Sequence, residues 1–235
     1  MEKLPFILAI IGHILCGVTD CLLGFSPKGR LDMKSIKDPD KMSETFRDMP
    51  GSFPMLSMLL GTLAITMFSF GYFELCFWMR EFSETASIIM FISTIIYLVP
   101  IVTHHVFCGA AEWIYIRFGR TNEARDAVFE FLKKTSPTMI LGYAGILTFV
   151  VTLFVMIVSG NTSLPVWACV FNTLIAMILL LPTKLPAKGN IAGLVMFLGL
   201  ICPDLIYNFD TMRIGIGVHF LCAKVLYLQG FICTF

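Results

Sequence analysis

Apolar residues run through this chain in blocks too long for an ordinary soluble helix, separated by short polar stretches. A bilayer core takes about 20 mostly apolar residues per helix. Seven such blocks can be marked, at residues 4–25, 53–78, 94–118, 139–159, 164–181, 190–207 and 214–235. The third lies inside a longer apolar run, Thr85 to Phe118, whose outer part must project or bend at Pro100. The first block is long, weakly basic at its start and lacks a small-residue cleavage pattern, so it reads as a span rather than a signal peptide. The pattern predicts an all-α, polytopic integral membrane protein: a seven-helix bundle forming a single domain over residues 1–235.

Two polar segments carry structure of their own. Residues 26–52 form a mixed-charge loop with room for a short helix near Asp40 to Arg47. Residues 121–134 place Ala124, Val128, Phe131 and Leu132 on one stripe, which predicts an amphipathic helix at the membrane surface. Asn122 suits its N-cap, and Lys133 and Lys134 suit its C-terminal end. Pro137 is expected to stop it before the next span.

Charge then orients the bundle. With seven spans, one side carries Lys3, Arg80 and Arg213. The other carries thirteen basic residues, among them Lys28, Arg30, Arg117, Arg120, Lys184 and Lys188. Basic flanks stay in the cytoplasm, so the N-terminus is expected outside and the C-terminus inside, with the plasma membrane as the expected location. The composition agrees, with 57% hydrophobic and 14% charged residues. A soluble domain keeps about 25% charged. The net charge of +1 gives no basis for nucleic-acid binding. All eight cysteines fall in apolar runs and none forms a Cys-x-x-Cys pair, so they read as reduced, packed thiols.

Chemistry enters with the histidines, of which there are four. Three share one signature: His13-Ile-Leu-Cys-Gly, His105-Val-Phe-Cys-Gly and His219-Phe-Leu-Cys-Ala. Asp20 and Glu112 each follow their histidine by seven residues, two helical turns on, hence nearly on the same face. Gly17 and Gly109 sit one turn after the histidine and admit a close neighbouring helix. The depths predicted for the first, third and seventh spans bring His13 and His105 near mid-membrane, with His219 about one turn further out. His104 is the alternate on the third span.

Ionisable side chains inside a membrane helix are costly and point to function. One reading is a zinc-dependent hydrolase of a lipid-like substrate. His13, His105 and His219 would hold the metal with an open position for water, and Asp20 or Glu112 would orient a ligand or act as base. Another is a proton-coupled transporter or channel for a small molecule, using a ladder of Glu74, Asp204, His219, His13, Lys224, His105, Asp20 and Glu112. A non-catalytic scaffold with packing histidines is the third. The helix count and intramembrane histidines resemble the progestin-receptor-like/hemolysin III and alkaline ceramidase superfamily, which implies a histidine-held zinc. Ala223 stands where that family's second histidine would follow His219, so no residue is carried over. Lys28 and Arg30 flank the first span where a lipid phosphate could bind. The chain has no HExxH, nucleophile elbow or phosphate-binding glycine loop.

Overall fold

The computed structural model describes residues 3–26, 28–30 and 38–201. The described chain is nearly all helical. Helix α1 spans Lys3–Gly24 and leads into a two-residue hairpin, β1 (Phe25–Ser26) paired antiparallel with β2 (Gly29–Arg30). Short helix α2 follows (Pro39–Phe46), then α3 (Ser52–Met79), α4 (Glu84–Arg117) and α5 (Asn122–Val158). A 3₁₀ helix (Val166–Phe171), α6 (Thr173–Leu180) and α7 (Lys188–Ile201) complete it.

Four helices, α1, α3, α4 and α5, are long and apolar enough to cross a membrane. They match the first four expected spans. Their outward faces keep large apolar side chains exposed, such as Leu59, Val99 and Ile140 at 66%, 63% and 63%. Lipid tails, not water, suit such a surface. Neighbours run antiparallel: α1 packs on α3 and α7, and α4 packs on α3 and α5. Lys28, Arg117, Arg120 and Lys188 therefore gather at one end, and Arg80 lies at the other.

The third apolar run is one unbroken helix, α4, with Pro100 inside it. The amphipathic segment is likewise not separate, because α5 runs through Pro137 into the fourth span. Proline at 137 has no N–H for the Lys133 carbonyl. The Ser136 hydroxyl donates to that carbonyl instead, at 2.8 Å, and the helix continues. The cap is Thr121 rather than Asn122, its hydroxyl accepting from the Ala124 N–H at 3.2 Å.

The fifth apolar block, 164–181, is broken at Asn172 into the 3₁₀ helix and α6. Asn172 is extended (ψ 137°), caps α6 by accepting from the Leu174 N–H at 2.8 Å, and donates to the Val150 carbonyl of α5 at 3.0 Å. That tie to the backbone of α5 competes with a straight helix. The sixth block starts as α7, two residues earlier than expected. Residues 202–207 and the whole seventh block, 214–235, lie outside the described residues.

The interior has two parts. A large core between the spans centres on Phe68, Tyr72, Leu75, Phe149, Leu153 and Phe197. A smaller one closes the basic end, where Met42, Phe46 and Met49 pack on Ala111 and Tyr115 of α4 and Ala124 and Val128 of α5. The expected short helix is thus α2, capped by Asp38. Arg120, in the left-handed region (φ 61°), ties this segment down. Its Nε donates to the Phe46 carbonyl at 2.8 Å and its Nη2 to the Met49 carbonyl at 3.1 Å.

Candidate functional site: a buried polar chain between α1, α3, α4 and α7

Six side chains from four helices link into one chain along the bundle interior, from Tyr72 in the Arg80 half of α3 to Ser57 near the basic end. The Tyr72 hydroxyl of α3 donates to His13 Nε2 at 3.4 Å. His13 Nδ1 lies 3.1 Å from Asn190 Oδ1 on α7. Asn190 Nδ2 donates to Asp20 Oδ2 at 2.7 Å. Asp20 Oδ1 stands 3.6 Å from His105 Nδ1 on α4. His105 Nε2 lies 3.0 Å from the Ser57 carbonyl and 3.2 Å from its hydroxyl. The Ser57 hydroxyl donates to the Thr19 carbonyl at 3.0 Å, returning the chain to α1.

Burial makes each of these contacts count. His13 and His105 are 2% and 7% exposed, and Ser57 and Thr19 are fully buried. The Asp20 side chain is 35% exposed, the one open link among these carboxyl and imidazole groups. Both rings lie against glycines of the facing helix. A Cβ on Gly193 of α7 would overlap the His13 ring, and a Cβ on Gly61 of α3 would overlap the His105 ring. His13 is further stacked on Phe68, with ring centroids 4.4 Å apart and planes at 8°.

Donor and acceptor counting fixes the protons. An amide nitrogen can only donate and an amide oxygen only accept. With Asn190 Nδ2 on the carboxylate, its Oδ1 accepts from His13 Nδ1–H, which leaves His13 Nε2 to accept from Tyr72. At His105, Nε2 meets a carbonyl and a hydroxyl whose own proton goes to Thr19, so Nε2 carries a proton. Nδ1 then faces Asp20 Oδ1 at 3.6 Å, just beyond direct hydrogen-bond distance. A proton taken up by the Asp20–His105 pair would sit between these two atoms.

The two sequence motifs are joined crosswise. Asp20 of the first motif meets His105 of the second, while Asn190 connects Asp20 to its own His13. Gly109 lies tightly against Met58 and the Pro54 carbonyl, whereas Gly17 faces Ala187 and Asn190 at ordinary contact distances of 3.8 and 3.7 Å. Glu112 lies one repeat beyond His105 on α4, with a buried Oε2 that has no hydrogen-bond partner among the described residues.

His104 points away from this chain. Its Nδ1 lies 3.4 Å from the Thr138 hydroxyl of α5 and its Nε2 3.5 Å from Cys108 Sγ. Glu74 is half-buried on α3, seventeen residues from Ser57 and so roughly 25 Å away along the helix. Lys28 pairs with Asp48 at 3.5 Å, and Arg30 lies in β2. His219, Asp204 and Lys224 lie outside the described residues. His13 and His105 do not converge: they sit at the levels of Phe68 and Gly61, seven residues or about 10 Å apart along α3. Among the described residues, no group of three or more His, Cys, Asp or Glu side chains is placed to hold a metal ion.

Sequence reasoning missed Asn190, Ser57, Gly61 and Gly193. The available signal was spacing: Ser57 and Gly61, and Gly189 and Gly193, are small residues four apart, a pattern that marks close helix contacts.

Long apolar helices around a buried hydrogen-bonded chain define a helical membrane protein with a polar interior site. The chain belongs to the family described as "Family of unknown function (DUF6796)", whose family model matches residues 1–203. No curated protein and no solved structure matches it.

Proposed function

We propose that the protein is a proton-coupled transporter or channel in which the Asp20–His105 pair binds the exchanged proton. The observation that carries this is that Asp20 Oδ1 and His105 Nδ1 face one another at 3.6 Å, two atoms that a single proton reconciles. Loss of the shared proton leaves a carboxylate facing an unprotonated ring nitrogen, two acceptors with no donor between them. In a low-dielectric interior such a contact is strongly unfavourable. Elsewhere α1 and α4 meet little, α3 lying between them. Deprotonation would then separate α1 and α7 from α4 and α5, and protonation would close them again. Asp20, the exposed link, is the group through which the proton exchanges. Among the described residues, the other titratable groups in electrostatic range of it are Cys16 on its own helix, Tyr97 and Cys108 on α4 and Tyr143 on α5.

The full architecture of this reading is the seven-span bundle in the plasma membrane, N-terminus outside, with the Lys28–Arg117–Lys188 end in the cytoplasm. The carried solute is a small molecule. The zinc-dependent hydrolase is less well supported, because His13 and His105 would both have to leave their present partners and move together. The order Ser57–His105–Asp20 has the residue types of an acyl-transfer triad. The serine proton, however, goes to Thr19, and Ser57 is fully buried with no room for a substrate.

The test is voltage-driven proton uptake into liposomes containing purified protein, alone and with a panel of small organic solutes. Wild type should exceed protein-free vesicles in at least one condition, and Asp20→Asn should lower the flux at least tenfold while still eluting as a folded protein. Wild-type flux equal to that of empty vesicles throughout, or unchanged flux in Asp20→Asn, overturns the proposal.

A further inference from the structure

Beyond His105, α4 carries a second carboxyl that the hydrogen-bonded chain does not use. Glu112 follows His105 by seven residues, so it lies within about 20° of it around the helix and about 10 Å nearer the basic end. That direction leads from the Asp20–His105 pair towards the cap made by α2. The cap begins immediately beside Glu112: its neighbours Ala111 and Tyr115 pack against Met42, Phe46 and Met49.

The described side chains that α2 and α3 bring to this part of α4, Met42, Phe46, Pro54 and Met58, are apolar. One carboxyl oxygen is fully buried and meets no donor or acceptor among the described residues. Among the described residues, the titratable groups near it are Cys108 and Tyr115 on its own helix, with Asp20 of α1 in electrostatic range of Cys108 and Arg120 and Arg125 in range of Tyr115. The near part of α3 offers Pro54 and Met58. The face of α2 turned inward is Met42 and Phe46, while Lys41 and Glu44 point to solvent. From α5, Arg125 gives Nε and Nη2 to Asp126 at 2.9 and 2.6 Å, while its Nη1 is buried with no hydrogen-bond partner among the described residues. Among the described residues no cation is bonded to Glu112, so a carboxylate there is held at a large cost, whereas a neutral acid is not. Cys108, one turn above, stands between Glu112 and the Asp20–His105 pair.

We infer that Glu112 is a second proton-binding carboxyl, kept as the neutral acid beneath the α2 cap and exchanging protons between the Asp20–His105 pair and the basic end of the bundle. This rests on the proton-coupled reading for its role in transport, though not for its protonation. The step is a simple transfer: a proton leaves the Glu112 carboxyl oxygen for the pair, and a proton from the aqueous side replaces it.

Two measurements on the full chain test this. Infrared spectroscopy of the reconstituted protein at neutral pH should show a protonated-carboxyl C=O band that disappears in Glu112→Gln and survives in Asp20→Asn. Proton flux should fall at least tenfold in Glu112→Gln and recover partly in Glu112→Asp. A spectrum without that band in wild type, or one unchanged by Glu112→Gln, overturns the inference. Wild-type flux in Glu112→Gln overturns it too. A band that behaves as expected, with flux intact in Asp20→Asn, sinks the transport reading and leaves Glu112 as a proton-binding site.

Discussion

The imidazole of His13 occupies the space that a side chain on Gly193 would need. Helices α1 and α7 can close only because position 193 has no Cβ, and the ring thereby reaches Asn190 one turn earlier. Gly193→Ala should force the ring off Phe68 and destabilise the protein by about 1–3 kcal/mol, the usual cost of overpacking a tight core. Gly17→Ala is the control on the partner helix, since a Cβ there meets Asn190 and Ala187 at 3.7 and 3.8 Å. Thermal melts in detergent should show a clear loss for the first variant and little change for the second. Equal melts would mean that the close α1–α7 approach does not hold in solution.

Asn190 bridges His13 and Asp20, so its amide matters at both ends. Asn190→Leu removes two hydrogen bonds and leaves a buried imidazole donor and a carboxylate oxygen without partners. A loss of about 2–6 kcal/mol is expected, at about 1–3 kcal/mol for each polar group left unsatisfied. Asn190→Asp is the sharper test. It would set a second carboxyl beside Asp20, where the native contact is 2.7 Å. Two carboxyls this close share one proton, and ionising both is disfavoured. The variant should therefore be more stable in mild acid than at neutral pH, losing stability as pH rises, while wild type lacks this added slope. Melting curves over pH 4 to 8 would decide it, and a flat difference between variant and wild type would contradict the bridge.

How far the sequence revealed these features follows from what each depends on. Four spans were legible because burial in lipid demands long uninterrupted apolar runs. The fifth apolar block read as another span, yet Asn172 divides it through a bond to the Val150 carbonyl, a long-range contact that hydropathy does not register. Pro137 read as a stop because its missing N–H is a local property, while the Ser136 hydroxyl that fills the gap was overlooked. At the site, the same-face spacing of His13 with Asp20 and of His105 with Glu112 was visible. The crosswise pairing of Asp20 with His105 was not, since it depends on how far α1 and α4 slide past one another against α3. Asn190 stood near the start of an apolar block and resembled a flanking residue. Only its neighbours Gly189 and Gly193, four apart, marked a contact surface.

Arg120 holds the α2 segment by two backbone carbonyls, Phe46 and Met49, and does so from a left-handed backbone conformation. Arg120→Gly relaxes the backbone but removes both bonds. The loss should appear locally, as opening of residues 38–50, rather than as unfolding of the spans. Trypsin should cut at Lys41 and Arg47 at least fivefold faster in Arg120→Gly, with the detergent melting temperature changed little. If cleavage is unchanged, the clamp does not restrain the cap.

Ser57 separates the proton-coupled reading from a serine-hydrolase reading of the same residues. In the former, Ser57 contributes through its backbone carbonyl, which accepts from His105 Nε2 at 3.0 Å, and that carbonyl survives Ser57→Ala. The hydroxyl bond to Thr19 and the 3.2 Å hydroxyl contact to His105 Nε2 are lost, the former worth about 0.5–1.5 kcal/mol. Proton flux should stay within twofold of wild type, and a fluorophosphonate probe should label wild type no more than Ser57→Ala, because the hydroxyl is sealed and its proton is directed to Thr19. Labelling of wild type that vanishes in Ser57→Ala and in Asp20→Asn would show that His105 activates the serine. The shared proton of the Asp20–His105 pair would then belong to a nucleophile rather than to a transport step.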